Sequence, residues 1–259
     1  MSDYPTPNFS IDLSGQVALV TGATAGLGQR FVRVLAACGA KVAFTGRRKD
    51  RLDALADELR ASGAECEPVV MDMTDREQIR AGLEQAEKAL GTVTILVNNA
   101  GIPDAQYATK IDDTLFDNVM NTNLEGPWLL SCAVADRLIQ AKSPGRIINI
   151  ASMAAFDVQP QFPSSLYATT KGAVVRMSEA MATEWAKYFI NVNVIAPATF
   201  RSEMVEDMLE RTGDIAQYFP RKRICEPPQM DSTLLFLVSP SSECVTGTVI
   251  KIDDGQLGR

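Results

Sequence analysis

Short apolar runs alternate with longer amphipathic ones along this chain. Gln16–Val20, Lys41–Thr45, Glu67–Met71, Thr94–Val97, Arg146–Ala151, Asn191–Ile195 and Thr248–Ile252 have the length and composition of buried strands. Leu27–Cys38, Asp50–Ala61, Arg76–Leu90, Thr114–Gln140, Leu166–Tyr188, Glu203–Arg211 and Gln229–Leu237 have helical character, and glycines such as Gly39 and Gly91 close several of them. Strands that are apolar throughout need cover on both faces, and parallel neighbours need a crossover long enough for a helix. Strict alternation therefore predicts an α/β fold: one doubly wound parallel seven-stranded sheet with helices on both faces. The 259 residues fit one such domain, residues 13–259, behind an N-terminal extension of residues 1–12. Gly126-Pro127 is a disturbance inside a helical run.

Composition removes several chemistries. The chain has no histidine, so a Ser-His-Asp triad, a Cys-His dyad and a His-ligated metal site are all impossible, and no metal is expected. Acids outnumber bases 32 to 25, which argues against nucleic acid or an anionic membrane as partner. The five cysteines are scattered and form no C-x-x-C, a pattern that suits buried thiols in a reduced, cytoplasmic compartment. Residues 1–10 lack the apolar core of a signal peptide, and no run approaches the ~18 apolar residues of a membrane span.

Gly22-Ala23-Thr24-Ala25-Gly26-Leu27-Gly28 joins the first strand to the first helix. Glycines there admit positive φ and a close backbone approach to a pyrophosphate, and a helix N-terminus offers free N–H groups. The spacing is G-x-x-x-G-x-G, and the alternative reading is tight strand–helix packing alone. In a Rossmann-like fold the end of the second strand lies beside the adenosine ribose, where an NAD enzyme carries an acid. Here Gly46 stands in that place, followed by Arg47-Arg48-Lys49. A guanidinium suits a 2′-phosphate, so the expected cofactor is NADP(H), with NAD(H) the less favoured choice. The alternative is a solvated cap on the next helix.

Tyr167 and Lys171 are four apart in a helical run and share a face. A free tyrosine titrates near ~10, and a neighbouring ammonium favours the phenolate. Ser152 follows a strand at its carboxyl end, where open α/β sheets bind ligands; its plainer reading is a cap. Asn98-Asn99-Ala100-Gly101 reads as a polar turn, and Asn123 is a poor helix former inside a helical run.

Thr21-Gly-x-x-x-Gly26-x-Gly28, Asp72, Asn98-Asn-Ala-Gly101, Asn123, Ser152, Tyr167-x-x-x-Lys171 and Asn193-Val-Ile-Ala-Pro197 occur in that order. In this ordered set the chain resembles a classical short-chain dehydrogenase/reductase from about Leu13 to Gly255. The resemblance implies an enzyme that interconverts a ketone and a secondary alcohol by hydride transfer with a nicotinamide cofactor. It makes Tyr167 the catalytic acid/base, Lys171 the residue that lowers its pKa and holds the nicotinamide ribose, and Ser152 the anchor of the substrate oxygen. Asn123 would position a water linking Lys171 to bulk proton exchange. Asp72 and Met73 would meet the adenine, and Asn99, Ala100 and Gly101 would line the adenosine ribose. Pro197 with Thr199, Phe200 and Ser202 would hold the nicotinamide end.

Three departures from the family pattern stand out. Ala198 follows Pro197 where glycine is usual, Asp253-Asp254-Gly255 replaces Asp-Gly-Gly, and Ser152 to Tyr167 is longer than the common spacing. Residues 200–224 occupy the place of the family's mobile lid. Met153, Phe156, Phe162, Met204 and Met208 are expected to line an apolar pocket for a hydrophobic or aromatic ketone, unless several of them face the core. A small polyol or keto acid is one rival substrate. A 3-oxoacyl thioester is another, disfavoured because Arg176 is the only basic residue in the stretches where an acidic carrier would dock. A catalytically silent scaffold is the rival from another class. The resemblance implies a homodimer or homotetramer paired through the two long helices, and their surplus of apolar residues, Trp128, Leu129, Ala173, Val174, Met177 and Trp185, fits that.

Overall fold

The structure is a computed structural model that describes residues 11–158 and 163–257. Seven parallel strands run in the order β3-β2-β1-β4-β5-β6-β7. They are β1 Val17–Val20, β2 Lys41–Gly46, β3 Cys66–Val70, β4 Ile95–Asn98, β5 Gly145–Ile150, β6 Ile190–Pro197 and β7 Val249–Ile252. The helices are α1 Gly26–Ala37, α2 Lys49–Ala61, α3 Arg76–Leu90, α4 Asp113–Met120, α5 Gly126–Ala141, α6 Ser165–Trp185, α7 Glu203–Thr212 and α8 Asp231–Val238. Side chains of alternate sign along each strand feed two separate cores. Leu19, Leu96, Ile147, Val192 and Val194 face α3, α5 and α6, whereas Ala18, Val20, Phe44, Val97 and Ile148 face α1, α2 and α8. The expected architecture is therefore the observed one.

β1 pairs with β2 on one side and with β4 on the other. The chain order reverses at that junction, and the carboxyl ends of β1 and β4 open there into a crevice. The glycine-rich turn 22–28 and the segment 99–101 leave these two strands.

The run expected as one helix over 114–140 is divided. α4 and α5 are joined by a π-helical turn, Asn121–Glu125. Pro127 does not break it, because it occupies the first turn of α5, where a missing N–H costs little. An α-helical Pro127 would have faced the carbonyl of Asn123 with no hydrogen to donate, and a wide turn at this point absorbs that mismatch.

Beneath the crevice a chain of buried amides crosses the sheet. Asn98 Nδ2 donates to Asn149 Oδ1 (2.7 Å) and to Ser131 Oγ (2.9 Å), and Asn149 Nδ2 donates to Ser178 Oγ (2.8 Å). β4, β5, α5 and α6 are thereby fixed to one another by side chains that never meet water. Asn149→Ala takes one partner each from Asn98 and Ser178, which keep Ser131 and the Val174 carbonyl, and chemical denaturation should register a loss of about 1–3 kcal/mol.

The thiols are less uniformly buried than composition suggested. Cys66 and Cys225 are buried, Cys38 and Cys132 half-buried, and Cys244 exposed. Among the described residues no helix is long and apolar enough to cross a membrane, and no cluster of three metal-ligating side chains forms. The apolar surplus expected on the long helices also divides. Val174, Met177 and Trp185 face the sheet and are core residues, while Trp128 is 49% exposed.

Candidate active site

The turn after β1 is strapped to the turn after β4. The Thr21 hydroxyl, fully buried, accepts the N–H groups of Asn99 (3.0 Å) and Ala100 (3.1 Å). In return Asn99 Nδ2 donates to the carbonyls of Thr21 (3.0 Å) and Gly22 (3.1 Å). Glycine is required in this knot. A Cβ on Gly22 (φ +68°) would stand 2.7 Å from Ala100 Cα, and one on Gly28 would stand 2.3 Å from the Gly22 carbonyl oxygen.

α1 begins on this turn with Ala25 as its cap residue, no side-chain cap and no acid in its first turn. Its leading N–H groups therefore have no side chain to satisfy them, the condition for binding an anion from outside the fold. With the glycine cradle in front of it, this helix end fits the diphosphate of a dinucleotide.

At the ribose end, Gly46 leaves room for Thr24, whose Cγ2 would lie 2.5 Å from a Cβ at that position. Arg48 donates to Thr24 Oγ1 from Nε (3.1 Å) and Nη2 (2.6 Å), and its Nη1 reaches Glu203 (2.8 Å). Arg51 also hydrogen-bonds Glu203. Arg47, by contrast, is largely exposed, with Asp72 3.8 Å away. Of the two arginines singled out in the sequence, Arg48 is the one already ordered against the phosphate turn. Arg51 was missed, because its place one turn into α2 reads as ordinary helix surface. Asp72 turns one oxygen to Thr74 N and Oγ1 (2.9 Å each), and Met73 is buried beside it.

The reacting side chains lie on the other side of the crevice. The Ser152 hydroxyl lies near enough to the Tyr167 phenol to lower its pKa. The Ser152 hydroxyl also accepts the N–H of Ala154 (3.1 Å), so the cap reading and the functional one hold together. Lys171 is 4% exposed, donates to the carbonyl of Ile150 (2.8 Å), and stands 5.6 Å from the Tyr167 ring centroid. Gly101 faces the pair; a Cβ there would be 3.3 Å from Lys171 Nζ and 3.5 Å from Asn123 Oδ1. Asn123, on the π-helical turn, clamps Ile102 through both backbone groups (2.9 Å each) and donates to Thr170 Oγ1 (3.2 Å).

Burial governs both titrating groups. It pushes the Tyr167 phenol up, the Ser152 hydroxyl pulls it back, and the charge of Asp104 raises it again. Burial pushes Lys171 down to about 8. The expected lowering of the tyrosine by Lys171 is therefore not the dominant effect in the protein without cofactor, because removing both groups from water disfavours the ionised form of each.

Two of the three departures from the family pattern have local explanations, and the longer Ser152–Tyr167 segment lies partly outside the described residues. Ala198 donates to the Ile252 carbonyl (2.9 Å) as a continuation of the β6–β7 ladder and is not among the positive-φ residues, so no glycine is needed there. Asp254 has a φ of +50°, a strained value for a side-chain-bearing residue. Its carboxylate receives Arg221 (2.6 Å) and Arg223 (2.7 and 2.9 Å), which ties down the far end of the 200–224 segment. At the near end, Thr199 is held by Gln256 (2.8 Å), and Phe200 bridges to Cys225.

Among the described residues, those expected to line an apolar pocket are dispersed. Met153 is 4% exposed and packs in the main core with Met177 and Val194, while Met208 packs inside the lid against a cluster of Ile215, Phe219 and Ile224. Phe156 is 43% exposed beneath the Lys251 ammonium (4.0 Å), Met204 is 36% exposed, and Phe162 lies outside the described residues.

Residues 16–213 match the family described as short chain dehydrogenase. The chain belongs to that family. It is 38% identical over 247 residues to the galactitol 2-dehydrogenase (L-tagatose-forming) of Cereibacter sphaeroides, covering 94% of this chain and 95% of that one. A short-chain type dehydrogenase/reductase from Mycobacterium marinum superposes with a TM-score of 0.92 at 34% identity, over 96% of this chain and 98% of that one. A blue fluorescent protein from a metagenomic library, solved in complex with NADPH, superposes with a TM-score of 0.88 at 33% identity, over 95% and 100%. The protein is thus an oxidoreductase acting on CH–OH groups.

A buried lysine with a lowered pKa costs stability. The Lys171 pKa falls from 10.5 unfolded to about 8 folded, so the free protein should gain stability as pH rises from about 8 towards 10.5. Lys171→Met removes a cost of at most about 3 kcal/mol. Thermal melts at pH 7 without cofactor should rise by about 2–6 °C, while turnover is lost.

Proposed function

We propose that the protein is an NADP(H)-dependent oxidoreductase that interconverts a ketone and a secondary alcohol. The observation that carries this reading is the buried Lys171 ammonium, 5.6 Å from the Tyr167 ring, with Ser152 beside the phenol, across the crevice from the phosphate cradle. The four residues that a silent scaffold would be free to lose, Asn123, Ser152, Tyr167 and Lys171, are all present.

A bound nicotinamide supplies or accepts the hydride. The chain's own residues manage the oxygen and its proton. Ser152 Oγ holds the substrate oxygen beside the tyrosine. Tyr167 donates its proton to that oxygen in reduction and, as phenolate, removes it in oxidation. Lys171 and Asn123 connect the tyrosine to proton exchange with solvent. Gly22, Gly26, Gly28 and the start of α1 would hold the diphosphate, with Asp72 and Met73 near the adenine and Pro197–Ser202 at the nicotinamide end.

Preference for the 2′-phosphate is supported by Gly46 in place of an acid and by Arg48 and Arg51 already holding a carboxylate, Glu203, at the mouth of the turn. That pairing indicates that an anion fits there. kcat/KM should be higher with NADP(H) than with NAD(H), and Arg48→Glu should lower the NADP(H) value by about 10- to 100-fold. A higher wild-type value with NAD(H) would refute the assignment.

For the substrate, the dispersal of Met153 and Met208 weakens the hydrophobic-ketone reading, and similarity to an enzyme named for galactitol favours a small hydroxylated substrate. A panel of polyols, sugar acids and aryl ketones tests this: turnover confined to the aryl ketones would restore the apolar reading. A second copy of the chain is the proposed occupant of the groove between α5 and α6, lined by Met120, Leu124, Trp128, Ala173 and Ala180. Light scattering at micromolar concentration should give a dimer or tetramer, and Trp128→Glu should shift it towards monomer.

A further inference from the structure

α6 carries both Tyr167 and Lys171, so whatever fixes its first turn fixes the reacting hydroxyl. Ser164, at the cap position, makes no side-chain cap, and the first turn contains no acid. The N–H groups of Leu166 and Tyr167 donate instead to Oδ2 of Asp104, at 2.9 and 3.1 Å, across a sequence separation of 62 and 63 residues. Asp104 is 4% exposed, and among the described residues it forms no ion pair with Lys or Arg within 4.0 Å. Its other oxygen receives the N–H of Ala105 (2.6 Å). Ala105 has a φ of +49°, so the backbone accepts strain directly beyond the carboxylate. A buried carboxylate without a cation is costly, and a strained neighbour adds to the cost. An uncharged asparagine or serine could have capped the helix without the charge.

We propose that Asp104 is a positioning residue for the proton chemistry: it locks the first turn of α6 and sets a negative charge beside Tyr167. This rests on the reading of Tyr167 as the acid/base. Three side chains bear on the phenol. Asp104 comes from the segment after β4, Ser152 from the segment after β5, and Lys171 from α6 itself. Asp104 opposes Lys171. A negative charge there disfavours the phenolate, so the tyrosine keeps its proton to a higher pH and is ready to act as the acid of reduction. Oxidation needs the phenolate, so its rate rises with pH through the same titration.

The test separates charge from capping. The full chain, free of cofactor, is labelled with ¹³C-tyrosine, and Tyr167 is assigned by the signal lost in Tyr167→Phe. In Asp104→Asn, which keeps a hydrogen-bond acceptor, Tyr167 should titrate at lower pH than in wild type, by more than the error of the titration. The rising limb of the oxidative kcat should move to lower pH by the same amount. Asp104→Glu restores the charge and should return the titration towards wild type even where altered length lowers kcat. Asp104→Ser serves as a second charge-free variant should the asparagine fail to fold. Superimposable titrations in wild type and the charge-free variants would overturn the proposal and leave Asp104 a cap only. A Tyr167→Phe protein with full turnover would instead overturn the reading of the reaction, and the NMR titration would still decide the role of Asp104.

Discussion

Lys171 keeps its ammonium out of water, with the Ile150 carbonyl at 2.8 Å and the Tyr167 ring on the same helix face. Removing a cation from solvent is unfavourable, and here it displaces the lysine to about 8. The surrounding structure holds it in place nonetheless. β5 ends so that Ile150 presents its carbonyl and Ser152 its hydroxyl within two residues. The π-helical turn aims Asn123 at the segment opposite, and Gly101 leaves the space that any side chain would take. The buried amides of Asn98 and Asn149 then tie the strands that carry these groups to α6.

The second constraint is steric. The first strand–helix turn and the turn after β4 exchange hydrogen bonds at such close range that glycine alone fits at 22 and 28. The same closeness leaves the α1 N-terminus bare of side chains. One arrangement thus explains both the packing reading of these glycines and the phosphate reading, which are two consequences of the same knot. The lid is pinned at its two ends by charge, Glu203 on Arg48 and Arg51, and Asp254 on Arg221 and Arg223.

The parallel seven-stranded sheet and its helix layers were legible because period and alternation are local properties of the chain. So were Tyr167, Lys171 and Ser152, whose spacing survives in one dimension. Asp104 was not legible: its partners lie more than sixty residues away, and a lone aspartate in a loop carries no sequence signal. The π-helical turn was read as ordinary helix because one wider turn barely disturbs a 3.6-residue period, although Asn123 and Pro127 four residues apart hinted at it. The pocket methionines failed for the opposite reason. Apolar side chains near a site satisfy core and pocket alike, and Met153 and Met208 went to the cores nearest them.

The central claim is that one hydroxyl, on Tyr167, carries the proton. Tyr167→Phe leaves the ring and its packing intact and removes only that hydroxyl. The measurement is single-turnover kcat of the variant beside its dissociation constant for NADPH, followed by fluorescence titration. The account predicts a fall in kcat of about 10²–10⁴ with binding unchanged. Turnover close to wild type would contradict it outright, since a chain without histidine offers no ready substitute at neutral pH.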